Sequence, residues 1–79
     1  MKEQIKLIQA DAINEIKETT DLKNLNDIRV KYLGKKGQLT SILRGMGALT
    51  KEERPIIGEL VNTAKEEIEE EILVKEKEL

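Results

Sequence analysis

Seven cationic side chains, Arg29, Lys31, Lys35, Lys36, Arg44, Lys51 and Arg54, fall in one stretch whose only acids are Glu52 and Glu53. Lysine and arginine gathered in this way supply the chemistry of phosphate binding, attraction plus hydrogen-bond donors, and need no reaction. The flanks have the opposite sign: residues 1–28 carry net −2, residues 29–54 net +5 and residues 55–79 net −5. Uneven charge on solvated helices would give the same tally, so charge alone leaves both readings open.

Other chemistries lack their side chains. The chain has no histidine and no cysteine, Ser41 is its single serine and Tyr32 its single phenol. A catalytic triad, a thiolate zinc site and a disulfide are therefore excluded, and no metal site is expected. Exposed glutamates on a helix have no enclosed site in which to act as acid or base. "GKKG" at residues 34–37 lacks the spacing of a phosphate-binding Walker loop and follows no strand. With no thiols, no long apolar run and no apolar leader at the N-terminus, a soluble cytoplasmic chain without a membrane segment is the expectation.

The elements that must position these cations are helical. Seventy-nine residues without phenylalanine or tryptophan, rich in isoleucine, leucine, glutamate and lysine, suit one thin-cored domain of amphipathic helices spanning residues 1–79. Ile5, Ile8, Ala12, Ile13 and Ile16 recur at spacings of three and four and predict a first helix over about 2–18. The stripe breaks at Thr19-Thr20-Asp21, where Asp21 is a good N-cap, and Leu22, Leu25, Ile28 and Tyr32 start a second over about 22–33. Gly34 and Gly37 bracket Lys35 and Lys36 in a turn, with glycine's access to positive φ as the expected reason.

A short helix over about 39–44 follows, with Leu39, Ile42, Leu43 and Met46 inward, before Gly45 and Gly47 end it. Thr50 and Glu53 form a capping box that starts a last helix over about 51–78, with Pro55 either separating its first turn or kinking it. Its stripe is Ile57, Val61, Ala64, Ile68, Ile72 and Leu79, and the helix would be about 43 Å long at 1.5 Å per residue. Gly58 inside it predicts close approach of a facing helix. The fold class is all-α: an antiparallel helical hairpin, or coiled-coil arm, with helices one and two against the last and the basic short helix at the tip.

The stretch "VKYLGKKGQLTSILRGMGALTKEERPIIGELVNTAKEEIEE" resembles the N-terminal domain of the α subunit of bacterial phenylalanyl-tRNA synthetase. Its most specific parts are Tyr32 through Gly37, Leu39-Thr40, Arg44-Gly45, Glu52 through Arg54, and Gly58 through Asn62. Residues 1–25 match only in helical character. The resemblance implies a coiled-coil arm contacting tRNA(Phe), in an α2β2 enzyme with a β subunit and a second α subunit, that attaches phenylalanine with ATP and Mg2+. Those cofactor sites, and the catalytic domain, belong to the parent enzyme and not to this fragment, which carries no catalytic residue.

The expected role is thus a tRNA-binding arm. Lys35, Lys36 and Arg44 lead as phosphate contacts, Lys31, Arg29, Lys51 and Arg54 follow, and Gly34, Gly37, Gly45 and Gly47 make the turns. The alternative is a helical-hairpin module that completes a partner protein's bundle and binds no RNA.

Overall fold

Spacing of the isoleucines in the N-terminal segment dictates the first element. In the computed structural model, which describes residues 2–79, α1 runs Lys2–Glu18 and buries Ile5, Ile8, Ala12 and Ile16 on one face, with Ile13 half-buried at its edge. The chain breaks where the sequence offers a competing hydrogen bond. Asp21 takes an extended conformation and its carboxylate accepts from the Asn24 backbone N–H at 2.7 Å, starting α2, Leu22–Leu33. Thr19, buried beside it, accepts from the Asn24 side-chain amide at 2.6 Å. Leu25, Ile28 and Tyr32 are buried, whereas Leu22, expected on the same stripe, is exposed. It lies in the first turn of α2, at the end of the bundle where α1 has already stopped.

After the bend, α3 spans Gln38–Arg44 and continues into a 3-10 turn, Gly45–Ala48. Leu39 and Ile42 are buried and Met46 packs against the core, but Leu43, expected inward, is largely exposed, because a helix this short turns only two of its apolar positions fully onto its neighbours. The last helix, α4, is Glu53–Glu78. Thr50 and Glu53 make the reciprocal box: the Glu53 backbone N–H donates to Thr50 Oγ1 at 3.2 Å, and the Thr50 N–H donates to the Glu53 carboxylate at 3.4 Å. Arg54 N–H already reaches the Thr50 carbonyl at 3.1 Å. Pro55 has no N–H for the carbonyl of Lys51, so one bond is skipped and regular helix is counted from Glu53, two residues later than the sequence predicts.

Among the described residues, α1 to α4 form an elongated all-α arm measuring 43 × 18 × 16 Å. The limb made of α2 and α3 runs antiparallel to α4 and leads to the end at which α4 begins, where α3 and the 3-10 turn close the tip. There Met46 reaches Gly58 and Arg54 reaches the carbonyl of Gly47. Helix α1 lies differently from its expected antiparallel place. Lys2 and Glu3 sit near Glu53, Ile56 and Ile57, Gln9 bonds Glu67, and Lys75 donates to the Lys17 carbonyl at 3.0 Å, so α1 runs parallel to α4. The core is one stripe, with α1 and the α2–α3 limb meeting Ile57, Val61, Ala64, Ile68 and Ile72 of α4. Leu79, which continues that stripe in sequence, follows the end of α4 and is exposed.

Candidate nucleic-acid interface

The bend between α2 and α3 is a tight turn in which the Gly37 N–H donates to the Gly34 carbonyl at 2.8 Å. Lys35 and Lys36 occupy its two central positions and both are exposed. The glycines are there for a reason other than the expected one. Among the described residues none has positive φ; Gly34 and Gly37 both sit at φ −70°. What they supply is room: a Cβ on Gly34 would lie 2.6 Å from the Val30 carbonyl oxygen, and one on Gly37 would lie 2.6 Å from the Tyr32 carbonyl. Thr40 Oγ1 donates to the Gly34 carbonyl at 2.7 Å and Ser41 Oγ to the Gly37 carbonyl at 3.1 Å, tying the turn to α3.

The position of this turn along the arm also departs from expectation. Tyr32 meets Glu15 of α1 on one side of it, and Gln38, Ser41 and Ile42 lie beside Gln4 and Ile8 on the other. Lys35 and Lys36 therefore flank the middle of the arm, and the true reversal comes between Gly45 and Glu52, where the chain passes into α4. Arg44, at the end of α3, projects opposite the buried Leu39 and Ile42, and Lys51 is exposed in the turn before α4. Gly45 and Gly47 lie in the 3-10 turn with open space where a Cβ would be, so neither position sterically demands glycine.

The seven cations separate into two sets. Arg29 Nη2 is 2.9 Å from Glu76, Lys31 Nζ is 3.0 Å from Glu15, and Arg54 donates to the Gly47 carbonyl at 3.2 Å. Among the described residues Lys35, Lys36, Arg44 and Lys51 form no ion pair. Tyr32 is 2% exposed, its hydroxyl donates to the Glu15 carboxylate, and Lys31 Nζ lies 5.3 Å from its ring centre. The Tyr32 hydrogen bond holds the Glu15 carboxyl below its ordinary range, with Lys31 adding to the effect and burial opposing it. Burial, followed by the Glu15 contact, pushes the Tyr32 phenol well above its ordinary value.

Glu15 and Glu76 were not singled out by the sequence, although Glu15 lies seven residues after Ile8 and so sits close to the buried face of α1. No cluster of three or more metal-ligating side chains occurs among the described residues, and no helix is long and apolar enough to cross a membrane.

A helical arm whose capped turns and basic edge follow this order defines a class, and comparison identifies it. The profile of the class II aminoacyl-tRNA synthetase N-terminal domain matches residues 20–79, and the chain belongs to that family. Its relatives include phenylalanine–tRNA ligase α subunits: that of Clostridium acetobutylicum is 59% identical over 69 residues, covering 87% of this chain and 20% of the relative. Those of Exiguobacterium sp. (58% over 69 residues, 87% and 20%) and Anoxybacillus flavithermus (53% over 76 residues, 96% and 22%) are similar. The chain thus spans about a fifth of the length of these curated relatives. No solved structure matches it.

Proposed function

We propose that this chain is the tRNA-binding arm of a phenylalanine–tRNA ligase α subunit, working in the bacterial cytoplasm. It positions tRNA(Phe) for ATP-dependent attachment of phenylalanine by an α2β2 enzyme that contains a β subunit. The observation that carries the reading is the stretch from Gly34 to Lys51, which presents Lys35, Lys36, Arg44 and Lys51 to solvent and contains no acid. Membership of the synthetase family and relatives named as phenylalanine–tRNA ligase α subunits support it.

The chain's own part in such a reaction is binding and orientation. Free cations along one limb attract the tRNA backbone, and a packed scaffold fixes where they stand, so that part of the ordering cost is met before tRNA arrives. The ATP- and Mg2+-dependent chemical step is assigned to the rest of such an enzyme, since this chain spans about a fifth of its relatives' length.

The test is aminoacylation by a phenylalanine–tRNA ligase carrying this arm. Reversing Lys35 and Lys36 to glutamate should raise KM for tRNA and leave the tRNA-independent activation of phenylalanine unchanged. An unchanged KM for tRNA, together with salt-independent capture of a protein partner by the arm, would favour the interaction module instead.

A further inference from the structure

We infer that Met46 is a reversible oxidation site: a hydroperoxide converts its thioether to the sulfoxide, and the change unlatches the turn at the tip from α4. The site belongs to the chain's own tip and holds whichever partner the arm takes.

Composition decides where an oxidant acts. Reversible oxidation by a peroxide falls on cysteine thiolates and methionine thioethers. The chain has no cysteine and two methionines, Met46 and Met1, the latter outside the described residues. Within the folded arm the chemistry converges on one sulfur.

The surroundings leave that sulfur both reachable and engaged. Met46 is half-buried in the 3-10 turn between Gly45 and Gly47, two exposed positions at which even a Cβ would find nothing within 4 Å, so neither flank shields it. On its other side the terminal methyl rests over Gly58 of α4, 3.4 Å from where a Cβ would stand. Between Gly45 and Glu52, where the chain reverses, only Met46 and Leu49 are not exposed, and both pack against the core. The bond from Arg54 to the Gly47 carbonyl also crosses from α4 to the turn, but it is exposed and water can replace it. The turn is therefore held down largely by two apolar side chains, one of which can be oxidised.

The step balances with hydrogen peroxide as oxidant. The sulfur lone pair takes one peroxide oxygen, the O–O bond breaks, and the other oxygen leaves as water with both protons; sulfur loses two electrons and the peroxide gains them. A dithiol reverses it, becoming a disulfide and releasing the sulfoxide oxygen as water, and because this chain has no thiol a separate reductase must supply one. The S–O dipole needs a hydrogen-bond donor. Gly58 lies beyond the first four residues of α4, so its N–H is already committed within the helix, and the sulfoxide is better satisfied by water than against α4. Arg44 and Lys51 stand on either side of Met46, so release of the turn also frees the two cations nearest the tip.

The experiment treats the folded 79-residue chain with hydrogen peroxide, locates the added oxygen by peptide mass, and follows limited trypsin cleavage under native conditions. Met46 should gain one oxygen. Cleavage after Arg44 and Lys51 should then become several-fold faster, while cleavage after Lys35 and Lys36, in the turn before α3, should change little. M46L keeps an apolar side chain but no sulfur, and its cleavage should not respond to peroxide. M46Q, polar at the same place, should cleave quickly at the tip without peroxide. A methionine sulfoxide reductase supplied with dithiothreitol should restore slow cleavage to the oxidised chain. Circular dichroism verifies that each variant is folded.

Oxidation of Met46 only after denaturation would overturn the inference, as would an equal rise in cleavage at every site, which is the mark of global unfolding. An M46L chain that responds to peroxide as the unaltered chain does would overturn it too, because the effect would then come from elsewhere. None of these outcomes touches the proposed function, which has its own test in aminoacylation.

Discussion

Gly58 and Gly37 are both glycines in or beside helices, and the structure gives them opposite roles. A Cβ on Gly58 would meet only the Met46 terminal methyl group, at 3.4 Å, the far end of a flexible side chain in the 3-10 turn rather than the facing helix that its sequence position predicts. Gly58→Ala should therefore raise stability by about 0.5–1 kcal/mol through helix propensity, measured by urea unfolding. Gly37→Ala meets a backbone carbonyl that cannot retreat, and should cost about 1–3 kcal/mol. The Tyr32–Glu15 contact has a pH signature. Glu15 is lowered on folding, so its contribution is present above its ordinary value of about 4.5 and is lost as pH falls through the folded value. Tyr32 is raised, so its contribution holds below about 10 and is lost as pH rises toward the folded value. Thermal melts across pH should show Glu15→Gln flattening the acid limb and Tyr32→Phe flattening the alkaline one. Sequence alone exposed the cations but not which of them are free, because their partners lie 16 residues away for Lys31 and 47 for Arg29. Periodicity ranks faces of one helix and is silent on pairs between helices.

At the scale of elements, the starts were more legible than the ends. Asp21 caps α2 and Thr50 boxes with Glu53 through bonds that depend only on neighbouring residues, so local chemistry locates both. Thr50→Ala removes the acceptor for the Glu53 N–H at an exposed helix start and should cost about 1 kcal/mol, read from the same unfolding curves. Leu22, Leu43 and Leu79 share apolar character with their stripes yet are exposed, because a stripe records which way a helix faces and not where its neighbour stops. The direction of α1 is hidden for a similar reason: its apolar face fits α4 in either sense. The contacts of Lys2 and Glu3 near Glu53, Gln9 with Glu67 and Lys75 with Lys17 are what fix it as parallel.

For the whole molecule, α1 carries more than its place in the family suggests. The matched family domain begins at residue 20, yet Ile5, Ile8, Ala12 and Ile16 cover the stripe of α4. Burial of these side chains contributes a stabilisation comparable to the total expected of a chain this size. A fragment of residues 20–79 should therefore lose cooperative thermal unfolding, as followed by circular dichroism; a sharp transition like that of the full chain would show that the α2–α3–α4 unit is sufficient. Chain length, composition and stripes were enough to indicate an all-α arm, because a thin core leaves few other ways to hide one apolar face per helix. The place of the lysine turn along that arm was not legible, and it has a mechanical consequence. A rod that rocks about either end moves its midpoint half as far as its opposite end. Cargo held at Lys35 and Lys36 would thus be displaced half as much by the same angular fluctuation as cargo held at the tip, and a longer arm could be tolerated for the same accuracy of placement.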